Sequence, residues 1–264
     1  MNPEQTLNVQ PGHYATKQLL SASRLVRWSH GSRFRLARKL VAPAAGGRLL
    51  DYGCGDGTFL GMVRDLFPTA IGADHAAEQI VDCTVRFAAV PNIAFITTGQ
   101  LSAPEHRQRY DVVVCMEVLE HCPDDIQLAV LEQIQQTMGP GATLVVSVPI
   151  EIGPALLAKQ SARALLARRG RSEYTTRERY RASELARLLW ANAETPFPRE
   201  EYTSTIDGHV SRFTGHKGFN WRALERRIEQ RFTIERRLFS PLPMLGAWLN
   251  SQVWFVCQSE SMIR

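Results

Sequence analysis

The stretch that decides the fold of this 264-residue chain is Leu49-Leu50-Asp51-Tyr52-Gly53-Cys54-Gly55-Asp56-Gly57-Thr58-Phe59-Leu60. An apolar run leads into Asp51, three glycines follow at alternate positions, and an apolar helical pattern begins at once. A strand that turns sharply into a helix needs backbone freedom, which glycine supplies at low steric cost. The absence of side chains lets a ligand approach the backbone, and the start of the helix offers free N–H groups. The pattern therefore predicts a ligand-binding loop between a strand and a helix.

The glycine spacing separates this loop from other nucleotide-type sites. It reads G-x-G-x-G rather than the G-x-G-x-x-G of dinucleotide-binding folds, and the chain has no G-x-x-x-x-G-K-[ST] string. The string from Asp51 to Gly57 resembles the first motif of class I S-adenosylmethionine-dependent methyltransferases, whose loop lies under the methionine and ribose of the cofactor. The resemblance implies that Asp51, Gly53, Cys54 and Gly55 bind the cofactor, and the alternative is a purely structural tight turn.

Composition and charge fit one globular domain, or one domain with an insertion. Hydrophobic residues make up 44% of the chain, no run approaches the ~20 apolar residues of a membrane span, and the N-terminus lacks a secretory signal. The five cysteines are scattered and predict a reduced protein in the cytoplasm. The net charge is +5, and the basic residues are concentrated at 24–39, 159–181 and 222–237. Such stretches favour anionic partners, although solvated helix faces explain them equally well.

Strand-like runs alternate with helical patterns from residue 48 onward. The strand-like runs lie at 48–52, 69–73, 92–97, 111–116 and 142–148, and the helical patterns at 57–66, 76–87 and 124–138. This alternation predicts βαβ units and a parallel sheet with helices on both faces. Helix-like spacing over 14–40 predicts an N-terminal helical cap within residues 1–47.

The pattern changes after Pro149. A basic amphipathic pattern over 154–168 and a helical pattern over 183–191 predict a helical lid or acceptor insertion at about 150–220, which ends in a turn-rich stretch from residue 200 to 218. A helix over 221–231 and strand-like runs over 232–239 and 252–257 follow. The two runs resemble the antiparallel hairpin that completes the class I methyltransferase sheet. We therefore predict an α/β, Rossmann-like class I methyltransferase fold over 48–264, with a seven-stranded, mostly parallel sheet and a C-terminal antiparallel hairpin.

Three further positions resemble cofactor contacts. Asp74 ends the second strand about twenty residues past the glycine loop, where Rossmann-like sites place an acidic residue on ribose hydroxyls, and an acidic helix cap is the alternative. The predicted cofactor-binding set includes its neighbour His75. After the third strand, Gln100 stands where the family often has an acidic residue that binds the adenine amino group, and a solvated loop is the competing interpretation.

The fourth strand carries the second strong resemblance, over residues 110–124. It is similar to the fourth motif of the subgroup that includes the ubiquinone-biosynthesis O-methyltransferases, and 139–149 matches the turn and fifth strand of that group. The resemblance implies that Met116 and Glu117 flank the cofactor. Together the matched motifs cover residues 48–150.

The string Glu117-x-x-Glu120-His121 also has a metal-binding interpretation. Mg²⁺ prefers oxygen ligands, and a histidine ligand admits Mn²⁺ or Zn²⁺. The string is similar to one that binds a divalent ion in the small-RNA 3′-terminal 2′-O-methyltransferases, in which a later His-rich segment completes the site. Here His216 lies in such a segment, so the predicted ligands are Glu117, Glu120, His121 and His216. In the metal-free alternative His121 is the general base. The candidate catalytic residues are therefore His121 and, through the metal site, His216.

The predicted function is S-adenosylmethionine-dependent O-methylation of a small-molecule, glycan or lipid-linked acceptor. No Asn-Pro-Pro-Tyr-type motif for handling amines follows the fourth strand. The basic segment 154–168 favours an amphiphilic or phosphorylated acceptor and contact with a membrane surface, unless it is a lid helix that faces the core. Two alternatives stay open: methylation of RNA, which the basic stretches also favour, and a non-catalytic cofactor-binding accessory role.

Overall fold

The computed structural model describes residues 12–21, 24–157, 159–160, 180–206 and 209–259. Its strands are β1 (Arg48–Tyr52), β2 (Thr69–Asp74), β3 (Ile93–Thr97), β4 (Tyr110–Met116), β5 (Met138–Pro149), β6 (Glu201–Ile206), β7 (His209–Thr214), β8 (Phe232–Ser240) and β9 (Gln252–Ser259). Its helices include α1 (Arg24–Val41), α2 (Thr58–Val63), α3 (Ala77–Arg86), α4 (Asp124–Thr137), α5 (Ala182–Leu189), α6 (Trp221–Glu229) and α7 (Gly246–Leu249). Residues 154–157 and 159–160 are also helical.

Seven strands form one sheet in the order β3-β2-β1-β4-β5-β9-β8. Strands β1 to β5 pair in parallel, whereas β9 runs antiparallel to both β5 and β8. The predicted seven-stranded, mostly parallel sheet with a C-terminal antiparallel hairpin is thus confirmed. The strand order reverses between β1 and β4, and open α/β sheets bind ligands at the carboxyl ends of the strands beside such a switch point.

The sheet is buried on both faces between two hydrophobic clusters. In β4, Val113 and Cys115 pack into one cluster and Val112 and Val114 into the other. This alternation follows from the two-residue period of a strand. A central parallel strand covered on both faces needs an unbroken apolar run, and this explains the sequence pattern of β4.

The N-terminal segment packs against the glycine loop. The spacing over 14–40 predicts helix, and the structure divides that range into a π-helical turn, Ala15–Leu19, and the helix α1. The backbone N–H of Ala15 donates to Asp56 Oδ2 at 3.0 Å, and Asp56 Oδ1 accepts from the backbone N–H of Thr58 at 3.1 Å. One carboxylate therefore joins the N-terminal turn to the loop that precedes α2.

The region from 200 to 218 differs from the turn-rich stretch that the sequence predicts. Strands β6 and β7 pair antiparallel, from Glu201 opposite Thr214 to Ile206 opposite His209, and form a separate two-stranded sheet. Both strands contain threonine, a branched aliphatic residue and an aromatic residue, and such side chains favour extended backbone. The described part of the predicted insertion is therefore mixed, with helices and a hairpin. Most of the predicted amphipathic segment 154–168 lies outside the described residues.

Several connections between strands lie at one end of the large sheet, where the parallel strands finish. Gln252, at the start of β9, is opposite both Pro149 at the end of β5 and Ser240 at the end of β8. The segment after β5 and the connection between β8 and β9 therefore lie at the same end of the sheet as the carboxyl ends of β1 to β5. In the described part of the chain, no helix is both long and apolar enough to cross a membrane.

Candidate active site

A cavity of about 750 Å³ opens at the switch point of the sheet. Its walls come from the glycine loop, the ends of β2 and β4, helices α1 and α4, and strand β7. The volume suits a small-molecule site. Of the residues that the sequence predicts to bind cofactor or to act in catalysis, the cavity is lined by Asp51, Gly53, Cys54, Gly55, Asp74, His75, Met116, Glu117 and His121.

The glycine loop has the conformation that its sequence predicts. Gly53, Gly55 and Gly57 have φ values of 77°, 51° and 70°, in the left-handed region that favours glycine. A Cβ atom at Gly53 would lie 2.2 Å from Cγ2 of Val118, whereas one at Gly55 would meet no atom within 4 Å. The loop is therefore tightest at Gly53, where the turn after β4 approaches it.

Asp74 lies beneath the loop as a hydrogen-bond acceptor. Its carboxylate accepts from the backbone N–H groups of Gly55, at 3.0 Å, and Ala76, at 3.1 Å. The His75 ring Nδ1 lies 3.1 Å from the same carboxylate. Burial opposes ionisation, but the hydrogen bonds from His75 and the two amides outweigh it and lower the pKa of Asp74. Asp74 is thus an anion that fixes the loop and faces the cavity.

Gln100 lies apart from this arrangement. It is exposed, and its side-chain oxygen accepts from the backbone N–H of Thr97 at 2.8 Å. The neighbour that lines the cavity is Thr98. The contact of Gln100 with adenine stays a prediction, and in this structure the side chain caps the turn after β3.

The cavity contains a partly buried ion pair that sequence reasoning missed. Nη1 of Arg33 lies 3.0 Å from Oε2 of Glu117, and Arg33 is only 5% exposed. Its guanidinium stands 5.4 Å from the ring centroids of Tyr14 and Phe34. The position of Arg33 in the sequence could have indicated its burial. It lies four residues before the buried Ala37 and thus on the apolar face of α1. Glu117 has φ 57° without being glycine, a strained geometry that is typical of functional sites.

Glu120, His121 and His216 converge beside the cavity. One potential ligand atom from each lies within 4.8 Å of the others, and the two imidazole rings are 4.6 Å apart between centroids. Glu120 is fully buried, and neither of its carboxylate oxygens has a hydrogen-bond partner. Glu117, the fourth predicted ligand, is not in this group and pairs with Arg33 instead. Of the three, only His121 also lines the cavity.

Arg199 links the backbone segments that carry this cluster. Its guanidinium donates to the backbone carbonyls of Glu120, Cys122 and Gly215, the last at 2.9 Å. The hydroxyl of Thr214 also donates to the carbonyl of Glu120, at 3.3 Å. The turn after β4 and the segment after β7 are thus joined through side chains although they are distant in sequence.

A family model described as a methyltransferase domain matches residues 28–192. The chain belongs to the S-adenosylmethionine-dependent methyltransferases. It is similar to the ubiquinone biosynthesis O-methyltransferase of Saccharophagus degradans, with 34% identity over 106 residues that cover 39% of this chain and 44% of the relative. The enzyme of the same name from Paracidovorax citrulli is 28% identical over 52% of this chain and 60% of its own length. The chain thus spans about half of the curated relatives that it matches.

Solved structures support the same fold. The PH0226 protein of Pyrococcus horikoshii superposes with a TM-score of 0.59 at 14% identity, over 95% of this chain and 100% of that one. The N-methyltransferase NodS of Bradyrhizobium japonicum, in complex with S-adenosyl-L-homocysteine, gives 0.53 at 13% identity over 99% and 100%. The methyltransferase domain of bacterial CtHen1-CN gives 0.56 at 13% identity over 87% and 98%. Such distant likeness shows the methyltransferase fold alone.

Asp51, at the end of β1, is a buried ionisable group beside the glycine loop. The side chain is 2% exposed, and burial, reinforced by the carboxylates of Asp74 and Asp56, raises its pKa to about 8. The Asp51 carboxyl is therefore mostly protonated at neutral pH in the ligand-free protein. A cation in the cavity would favour the ionised form.

His121 both lines the cavity and belongs to the cluster with Glu120 and His216. Burial lowers its pKa, although the hydrogen bond between its Nδ1 and the Thr214 carbonyl, at 3.3 Å, acts in the opposite direction. Burial also raises the pKa of Glu120, and the nearby charge of Glu117 adds to the rise. A neutral imidazole at the cavity wall has the correct protonation state to accept a proton.

Proposed function

We propose that this protein transfers the methyl group of S-adenosylmethionine to a hydroxyl oxygen of a small-molecule acceptor. The observation that carries the proposal is the position of His121, which lines the cofactor-sized cavity and also belongs to the cluster with Glu120 and His216. A base or metal ligand is therefore within the same site as the glycine loop. The names of the curated relatives support an oxygen acceptor.

The charges of the cavity complement those of the cofactor. Its amino-acid portion carries a carboxylate and an ammonium group, and the ion pair of Arg33 and Glu117 presents one charge of each sign to the cavity. We assign the carboxylate to Arg33, because a guanidinium forms strong, directed hydrogen bonds with carboxylates. Asp74 is assigned to the ribose hydroxyls, since a carboxylate accepts two such bonds.

S-adenosylmethionine supplies a methyl group that its sulfonium already activates. The task of the protein is then to align the acceptor oxygen with that group and to exclude water. The hydroxyl proton has to leave as the oxygen–carbon bond forms. We assign this proton to the neutral imidazole of His121, whose other nitrogen is held by the Thr214 carbonyl.

A divalent ion on Glu120, His121 and His216 is the second form of the proposal. The donor set fits an ion, because Glu120 is buried and its carboxylate oxygens have no hydrogen-bond partner. One carboxylate with two imidazoles suits Mn²⁺ or Zn²⁺ better than Mg²⁺. When bound, such an ion would lower the pKa of the acceptor hydroxyl and orient it. His121 cannot then serve as the base, so the two forms are distinguishable.

The cavity also favours an acceptor with an apolar part. Its wall includes Phe34, Ile126, Val130 and Phe213. We therefore infer a small molecule with an aromatic or aliphatic portion, which includes glycan-bearing or amphiphilic compounds. RNA methylation and an accessory role stay predictions of the sequence, since no described contact favours either. The membrane contact assigned to 154–168 also stays a prediction.

Titration calorimetry with S-adenosylhomocysteine tests the cofactor site. We expect micromolar binding to the wild type and a loss of at least about tenfold in Asp74→Ala, because its contacts with the Gly55 amide and the ligand disappear. Glu229→Ala, which removes an exposed carboxylate on α6, is the matched control and should bind as the wild type does. Failure of the wild type to bind would contradict the methyltransferase proposal itself.

A metal titration distinguishes the two forms of the site. Chelator-treated protein is titrated with Mn²⁺, Zn²⁺ and Mg²⁺, and methyl transfer to a catechol or a short RNA is followed by release of S-adenosylhomocysteine. Binding of an ion that is lost in Glu120→Gln supports the metal form. Turnover without any ion, which His121→Ala abolishes, supports the general base. Transfer to RNA rather than to the catechol would overturn the small-molecule acceptor.

A further inference from the structure

The connection between β8 and β9, residues 241–251, exposes an unusual amount of apolar surface; we term it the apolar connection. Soluble proteins rarely leave large apolar side chains grouped in this way without a partner. The exposed fractions are 42% for Leu242, 98% for Met244, 42% for Leu245, 68% for Trp248 and 54% for Leu249.

The apolar connection is held in a defined shape. The buried side chain of Asn250 accepts from the backbone N–H of Leu242 at 2.6 Å and donates to the carbonyls of Leu242 and Gly246, both at 2.7 Å. Ala247 packs against one of the hydrophobic clusters of the sheet. Several backbone polar groups of the connection are thus satisfied within it, which lowers the cost of transferring it from water to an apolar environment.

The chemistry of this surface indicates a lipid bilayer as its partner. Residues 238–259 contain no charged side chain, while the chain as a whole carries a net charge of +5. Tryptophan with leucine and methionine is suited to the membrane–water interface, and a positive protein is attracted to anionic headgroups. A stable protein dimer buries about 800 Å² on each partner, from about 20–30 residues. Five side chains on one short connection are too few for such an interface.

The position of the apolar connection agrees with this partner. Gln252 is opposite both Pro149 and Ser240, so the connection lies at the end of the sheet where the parallel strands have their carboxyl ends and where the cavity opens. We propose that the apolar connection docks this protein on the surface of an anionic lipid bilayer. The docking is peripheral and does not depend on which acceptor is methylated. In this orientation the end of the sheet that carries the cavity faces the lipid.

Vesicle sedimentation tests the docking directly. Vesicles of phosphatidylcholine and phosphatidylglycerol in equal parts are mixed with the full chain, and the bound fraction is measured against lipid concentration. The double variant Met244→Glu/Trp248→Glu should lower the partition coefficient more than about tenfold, because two charges replace the inserted side chains. The control Val81→Glu/Val85→Glu changes two exposed valines of α3 and should bind as the wild type does. Thermal unfolding verifies that both variants fold.

Tryptophan quenching locates the contact. Brominated lipids quench tryptophans that enter the acyl region, so the wild type should lose fluorescence on binding. Trp248→Phe should remove most of that loss, whereas Trp190→Phe, at a position that is 88% exposed, should retain it. Three results would overturn the proposal: no binding of the wild type to anionic vesicles, quenching that persists in Trp248→Phe, or a dimer in light scattering that Met244→Glu dissociates.

Discussion

The two sides of the cavity that we assign to the cofactor and to the acceptor are built in different ways. The cofactor side consists of the glycine loop and Asp74, at the ends of the neighbouring parallel strands β1 and β2. The acceptor side consists of Glu120, His121 and His216, which meet only because the hairpin β6–β7 folds back. Thr214 and Glu120 are hydrogen-bonded although 94 positions separate them. Backbone geometry shapes the cofactor side, and long-range side-chain contacts shape the acceptor side.

The largest effect is expected from Gly53→Ala. A Cβ atom there would overlap Val118, which must move, and φ 77° is unfavourable for alanine. We expect a loss of about 3 kcal/mol in the free energy of unfolding, measured with urea. At Gly55 a Cβ atom would overlap nothing, so Gly55→Ala has only the unfavourable left-handed backbone conformation to accommodate. We expect it to lower the free energy of unfolding by about 1 kcal/mol. Equal losses would mean that the approach of Val118 does not constrain the loop.

Arg33→Met should act mainly on the cofactor side. Removal of the guanidinium leaves the cofactor carboxylate without its cation, and we expect S-adenosylhomocysteine to bind about 30-fold more weakly, or about 2 kcal/mol. The control is Arg35→Met, an exposed arginine of the same helix. A fall in kcat at unchanged affinity would place Arg33 on the acceptor side.

Arg199→Ala should act on the acceptor side alone. The guanidinium joins the carbonyls of Glu120, Cys122 and Gly215, so its loss loosens the cluster without touching the glycine loop. We expect kcat to fall about tenfold and the affinity for S-adenosylhomocysteine to stay constant. Arg226→Ala, which removes an exposed ion pair with Glu194, should change neither. A parallel loss of cofactor affinity would show that the two sides are coupled.

The smallest expected effect is the change in cofactor affinity with pH, which we assign to Asp51. Its pKa of about 8 in the free protein should fall when the positively charged S-adenosylmethionine binds, so binding releases a proton and tightens as pH rises toward 8. Between pH 7 and pH 8 we expect about a fivefold gain in affinity. Calorimetry in two buffers of different ionisation enthalpy measures the proton release, and Asp51→Asn should abolish it. Affinity that falls over this range would contradict the assignment.

The difference between the two sides also explains what the sequence could predict. The strand β1 and the glycine loop follow from local rules, because an apolar run and a glycine spacing determine them within a few residues. Asp74 follows from topology, since consecutive parallel strands bring their ends together. The parallel strands β1 to β5 were predictable from the alternation of strand-like and helical patterns, whereas the antiparallel pair β8–β9 was predicted from its resemblance to the class I methyltransferase sheet.

Other features depend on contacts that no local pattern encodes. Arg33 was counted among the basic residues of 24–39, because its burial depends on where α1 packs. The sequence predicts turns where β6 pairs with β7, because each strand has only six residues and mixes β-favouring side chains with charged and polar ones. Glu117 was grouped with the metal ligands by spacing, but its left-handed backbone and its pairing with Arg33 separate it from Glu120.

The carboxylate of Asp56, shared between the N-terminal turn and the glycine loop, makes those two segments thermodynamically dependent on each other. A ligand that stabilises the loop must also stabilise the seating of the turn, by the same free energy with which the turn favours the ligand. We therefore expect the resistance of residues 12–21 to a protease to increase when the cofactor binds.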